Sequence, residues 1–296
     1  MKIILVVTDS RGRNLVFVSD ALQTYSLEKA ITLARAGTLK NIYAVKRTSG
    51  VYLRSRPSVA KKEQLDQRSI SSNLLFSSMN NIHHALSTPA LSSYWGIYQH
   101  SLEQSDGPFI MIDGYPRITE EVARMKLYPH RDLIFAAAKR FDIDPYLLGA
   151  TIIDEIARLN PFEEILEKLA VHFVGKNTSA GIAQVKMDTA RGLIQSGYYN
   201  PNPDDHKLSP KEISKIPRAY LHKYVKESKH SIYFAAARMR ELIDEWKKLV
   251  DLSKRPEIIA TLYHLPHRYP HAHPQANNRG LQIVKDFYPL AKGWLP

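Results

Sequence analysis

From Arg131 onward the apolar residues recur at helical spacing, and this constrains the fold more than any other feature of the 296-residue chain. Leu133, Ile134, Ala137, Ala138 and Phe141 share one stripe. Asp144-Pro145 then supplies an N-cap followed by proline in the first helical position. The helix opened there carries Leu148, Ile152, Ile156 and Leu159 on one side. Pro161 predicts its end near Asn160, because the residue before proline is pushed out of the α region. Further helices are predicted over 162–173, 187–196, 231–250, 256–264 and 278–290, with no strong strand pattern between them.

The amino-terminal stretch has a different rhythm. Residues 2–8 and 14–18 are β-rich runs around the turn cluster Asp9-Ser10-Arg11-Gly12. Ser26 caps a helix that Gly37 stops, and residues 41–45 and 51–54 form two more strands joined through Ser49-Gly50. The pattern is a ββαββ module over 1–58, weakly resembling a small bacterial domain of unknown function. The polar, serine-rich stretch 59–73 suits a linker. Residues 74–296 then form a mainly α domain whose core motifs occupy 131–291, so the fold class is α+β overall.

Composition removes several function classes. No run of eighteen apolar residues occurs, so no transmembrane segment is predicted. The first apolar run stops at Thr8-Asp9 and suits a strand better than a classical signal peptide. Cysteine is absent, which excludes disulfides, thiolate metal sites and a cysteine nucleophile. The formal charge of +12 predicts attraction to a polyanion such as bacterial cell wall or nucleic acid. No helix-turn-helix, zinc finger or aromatic-basic RNA motif accompanies it, so a nucleic-acid partner is not predicted. The densest basic series, Lys207, Lys211, Lys215, Arg218, Lys223, Lys226 and Lys229, reads as a solvated face able to hold anionic polymer.

Three motifs carry a resemblance. Residues 135–162 read FAAAKRFDIDPYLLGATIIDEIARLNPF, residues 179–190 read SAGIAQVKMDTA, and residues 259–264 read IATLYH. In this order they resemble the soluble lytic transglycosylase and goose-type lysozyme-like family over about half the chain. The resemblance implies a lysozyme-like fold and activity on peptidoglycan. Glu155 takes the position of the catalytic acid, and Ser179, Gly181, Ile182 and Gln184 that of a substrate-binding segment. Tyr263 and His264 take the place of a Tyr-Asn pair at the cleft. Ile156, Ala183 and His264 depart from the family's usual serine, methionine and asparagine. The resemblance implies a peptidoglycan glycan strand as substrate and no cofactor.

Glu155 can be argued chemically as well. A glycosidic oxygen is a poor base, so the acid must hold its proton near neutral pH. The apolar neighbours Ile152, Ile156 and Leu159, and the nearby helix carboxyl end, both favour a protonated side chain. The competing assignment is a solvated glutamate paired with Arg158. Asp154 points about 100 degrees round the helix, a poor direction for a second catalytic group. A transglycosylase needs one acid only, which favours it over a muramidase of the same fold; a non-catalytic wall-binding protein, suggested by Ile156 and His264, is the rival reading. The histidine tract His264–His273 is broken by Pro266, Pro270 and Pro274, so no metal is predicted and the tract is assigned to a cleft wall. Without a signal peptide, an enzyme made in the cytoplasm and acting on the wall needs a non-classical route. That points to an antibacterial effector or phage lysis enzyme, with a secretion-machine or phage component and an immunity protein as possible partners.

Overall fold

The computed structural model describes residues 1–48, 50–79, 83, 86–173, 175–204 and 208–296. Ser49 of the predicted turn and Lys207 of the basic series lie outside the described residues. The chain is mixed α/β, with a small amino-terminal sheet region and a helical carboxyl-terminal part. It divides into two compact units, Met1–Glu120 with Arg158–His172, and Glu121–Ala157 with Phe173–Pro296. Among the described residues no helix is long and apolar enough to cross a membrane.

In the first unit β1 (Ile3–Thr8) is buried along its whole length and pairs antiparallel with β2 (Asn14–Ser19). Strand β3 (Thr24–Ser26) pairs with β2, and Ser26 then caps α1 (Leu27–Arg35) by accepting from the Lys29 amide at 3.4 Å. Strands β4 (Ile42–Arg47) and β5 (Gly50–Ser55) form a separate hairpin. The core gathers Ile3, Val6, Phe17, Ala30, Ala34, Leu39, Ile42 and Leu53 from all these elements except β3. The buried Asn41 side chain acts as a piece of backbone here, accepting from the Ile3 amide at 2.9 Å and donating to the Ile3 carbonyl at 2.8 Å.

The stretch 59–73 is not the open linker expected. Leu65 belongs to the same core, and β6 (Ser69–Ser71) pairs in parallel with β1, giving the order β3-β2-β1-β6. Strand pairing uses backbone groups that serine supplies as well as valine does, so a polar composition concealed it. Only the buried Ile70 marked the strand.

Helices α2 (Ser72–Met79) and α3 (Pro89–Glu103) follow, then a hairpin of β7 (Phe109–Ile112) and β8 (Tyr115–Thr119). Asp113 and Gly114 at its tip have φ of 53° and 81°, the positive pair that a two-residue hairpin turn requires. Asp113-Gly114 is the dipeptide that such a turn favours.

The second unit is helical. It runs through α4 (Glu120–Leu127), α5 (Arg131–Phe141) and α6 (Pro145–Leu159), whose last residues, like most of α7 (Glu163–Phe173), fall in the first unit. It then continues from β9 (Ser179–Ala180) and β10 (Val185–Lys186) into α8 (Met187–Gln195). After α9 (Pro210–Ser214) and α10 (Arg218–Val225) comes the long α11 (Ser228–Trp246), which packs against α5, α8 and α10. Helix α12 (Pro256–His264) packs on α11 and on α13 (Asn278–Gln282). The single helix predicted over 278–290 is divided: a π-helical turn, Ile283–Phe287, separates α13 from α14 (Tyr288–Trp294).

Candidate functional site

Helix α6 is placed by its cap. The Asp144 carboxylate accepts from the Tyr146 amide at 2.8 Å and the Leu147 amide at 3.4 Å. These bonds satisfy amides that a helix start otherwise leaves open. The apolar stripe expected along α6 is buried at Leu148, Ile152 and Ile156. Asp154 and Glu155 stand on the last turns of this helix, with side chains 0 % and 12 % exposed.

The immediate surroundings of Glu155 are not the apolar surface expected. Arg279 Nη2 donates to Glu155 Oε1 at 2.9 Å, and Arg279 Nε donates to Asp154 Oδ2 at 2.7 Å. His264 Nδ1 lies 3.1 Å from the same Glu155 oxygen. Arg158, the partner considered from sequence, instead approaches Asp113 Oδ2 at 3.8 Å. Asp154 is likewise no bystander. Its side chain leaves the helix in a different direction from Glu155, but one guanidinium spans the gap between them.

Each cationic or basic group is tuned by this crowding. Burial lowers the affinity of His264 for a proton, and the neighbouring Arg279 charge lowers it further, more than the two carboxylates restore. His264 is therefore held neutral. A neutral ring that donates from Nδ1 to Glu155 leaves Nε2 as an acceptor. That atom is buried with no hydrogen-bond partner among the described residues, 3.8 Å from Asp154 Oδ2. For Arg279, burial opposes the charge, but the Asp154 and Glu155 carboxylates outweigh it and hold the guanidinium charged.

Arg279 is fixed from behind. Asn277 caps α13 by accepting from the Gly280 amide at 2.8 Å, and the Asn277 amide donates to Thr261 Oγ1 at 3.1 Å. Thr261 in turn donates to the Glu257 carbonyl at 2.8 Å, so α12 and α13 are joined where they present His264 and Arg279. A Cβ on Gly280 would lie 2.1 Å from Thr261 Oγ1, and only glycine permits this approach.

The turn between β9 and β10 contains the other predicted residues. Ser179 and Ala180 pair with Lys186 and Val185, and Gly181 and Gln184 both take positive φ, 71° and 47°. A Cβ on Gly181 would lie 2.2 Å from the Val225 carbonyl oxygen and 2.4 Å from Ser231 Oγ. The Ala183 amide donates to Ser231 Oγ at 3.1 Å, which seats the turn on α11. Gln184 Nε2 donates to the Gly181 carbonyl at 2.8 Å, so the side chain predicted to meet substrate bonds within its own turn. Ile182 is half-buried.

Tyr263 links the two halves of the site. Its hydroxyl donates to the Ala183 carbonyl at 3.0 Å, while burial and the nearby Glu155 raise the phenol out of any physiological titration. The residues named from the three motifs are thus brought together: Glu155 with His264, and Tyr263 with the Gly181–Gln184 turn.

Asp154, Glu155 and His264 each offer a ligand atom, and these atoms lie within 4.8 Å of one another, a spacing that could hold a metal ion. Among the described residues His267, His271 and His273 join no such group. His271 instead packs edge-on against Trp246 with ring centroids 5.2 Å apart. Within the basic series Arg218 is committed to Asp188, at 2.8 and 2.7 Å, whereas Lys211, Lys215, Lys223, Lys226 and Lys229 are exposed. Asp154 and Arg279 were missed in the sequence as site residues. No local signal marks a pairing between residues so far apart.

No protein-family model matches this sequence, and no curated protein matches it either.

Proposed function

We propose that the helical unit is a peptidoglycan-cleaving glycosidase with a lysozyme-like arrangement, and that Glu155 is its catalytic acid. The reading rests on one observation above the rest. A partly accessible glutamate near the end of α6 lies by Tyr263, whose hydroxyl is bonded to the Gly181–Gln184 turn.

In this reading one guanidinium faces two carboxylates beside a neutral histidine. Glu155 is the acid able to meet a sugar, because Asp154 is wholly buried. Glu155 gives its proton to the bridging oxygen between N-acetylmuramic acid and N-acetylglucosamine as the C1–oxygen bond breaks. The resulting carboxylate then takes the proton of the muramyl 6-hydroxyl, whose oxygen bonds to C1 and closes a 1,6-anhydro ring. The acid is regenerated and no water is consumed.

A muramidase would need a second carboxylate to act as nucleophile or to activate water. Asp154 is buried and engaged by Arg279, which favours the transglycosylase. The exposed lysines would hold the enzyme on anionic wall polymer, and delivery as an antibacterial effector or phage enzyme accounts for a wall substrate. Mass spectrometry of sacculi digested with purified protein tests the reading. Anhydromuropeptides are expected, reducing-end products would mean a muramidase, and no soluble product would contradict a glycosidase.

A further inference from the structure

We infer that Arg279 is a positioning residue that stands where a divalent cation would otherwise bind, and so keeps the Asp154–Glu155–His264 group in a metal-free form. Its catalytic half rests on the glycosidase reading above, whereas its metal half does not.

The geometry is that of a metal site with its centre already taken. Ligand atoms from Asp154, Glu155 and His264 lie within 4.8 Å of one another, compatible with ligand–metal distances of roughly 2.0–2.6 Å. The Arg279 Nη2 atom lies 2.5 Å from Asp154 Oδ2 and 2.9 Å from Glu155 Oε1, so it already engages two of the three ligand atoms an ion would need. A metal would have to displace a guanidinium that makes charge-assisted bonds to both acids. His264 supports the same conclusion from the other side. Its side chain is 6 % exposed and, among the described residues, Nε2 has no hydrogen-bond partner, leaving a buried nitrogen lone pair 3.8 Å from Asp154 Oδ2.

The arginine cannot easily withdraw. It lies between Asn277 and Gly280, in the α13 turn whose cap and contact with Thr261 hold it against α12, the helix that also bears His264. Arg279 therefore fixes the Glu155 carboxylate through Nη2 of a planar guanidinium whose Nε is held by Asp154, something a hydrated ion of variable coordination would do less strictly.

Zinc chloride titrated into folded wild type, Arg279→Ala and Arg279→Ala/His264→Ala, followed by calorimetry and thermal melting, tests the metal half. The wild type is expected to bind no zinc through this group. Arg279→Ala is expected to bind one zinc ion and melt at higher temperature with it, and the double variant to lose both effects. Arg279→Gln serves if Arg279→Ala does not fold. Zinc binding by the wild type that Glu155→Gln and His264→Ala abolish would overturn the inference, as would absence of zinc binding by every folded Arg279 variant.

For positioning, Arg279→Ala is expected to lower kcat on sacculi by about 10²-fold with KM little changed, and Arg279→Lys to recover part of the loss. An unchanged kcat in Arg279→Ala would overturn that half. A wild type that releases no glycan fragments would sink the glycosidase reading alone, and the zinc experiment would still decide the metal half.

Discussion

Arg279 Nη2 reaches Glu155 Oε1 at 2.9 Å across a sequence separation of 124 residues, and the same guanidinium holds Asp154. The two adjacent acids consequently have different duties. Asp154, fully buried, anchors the arginine; Glu155, 12 % exposed, is the acid to which the proposed function gives the chemistry.

Asp154→Ala should unfold the helical unit far more readily than Glu155→Gln does. Removing one partner of a buried ion pair leaves the other charge uncompensated, at a cost of about 3–5 kcal/mol. Denaturant unfolding of both variants measures the difference. Equal stability would mean that Asp154 does not anchor Arg279.

Gly181→Ala should be destabilising although it adds one methyl group. The residue sits at φ 71°, and its Cβ would press on the Val225 carbonyl and the Ser231 side chain. Strain and overpacking together predict a loss of about 2 kcal/mol or more, with the β9–β10 turn displaced. Thermal melting and glycan release should both fall; an unaltered melting temperature would show that the turn adapts freely.

Tyr263→Phe removes the bond from this hydroxyl to the Ala183 carbonyl and leaves that carbonyl without its donor. The loss is about 1–3 kcal/mol. If Tyr263 holds the turn beside Glu155, glycan release drops by more than the small change in folded fraction explains.

Stability should fall as the solution is acidified from pH 7 to pH 5, in part through His264. Burial and Arg279 depress its proton affinity in the folded protein, while the unfolded chain protonates histidine near the ordinary value of 6.5. Below that pH the unfolded state binds the extra proton, so stability present above it is lost on acidification. His130, His222 and His230 are depressed by burial too and act in the same direction. Comparing wild type with His264→Asn therefore isolates the contribution. The variant should lose less stability over this range, and identical pH profiles would contradict a His264 held neutral.

The helices around the site were legible because their signals are local. Asp144-Pro145 marked the start of α6, Pro161 its end, and α12 runs from Pro256 to His264 as the spacing predicted. The bond from Tyr263 to the Ala183 carbonyl had no such local signal, since the resemblance implied only a tyrosine at the cleft. The charged interior of the site was not legible. Periodicity places Asp154 on the wrong side of the helix for partnership with Glu155, and nothing near either acid in the sequence announces Arg279. Strand β6 was hidden for a different reason, since its pairing with β1 uses backbone bonds inside a serine-rich segment. The β7–β8 hairpin, by contrast, turns on Asp113-Gly114, a local turn signal of the sequence.

The most direct measurement is the rate at which purified wild type and Glu155→Gln release soluble fragments from sacculi, with folding of both checked by circular dichroism. The amide keeps the size of the side chain but has no proton to give. The account predicts anhydromuropeptides from the wild type and a loss of release by at least about 10²-fold in the folded variant. Equal release by both proteins would contradict the assignment of Glu155 as the acid.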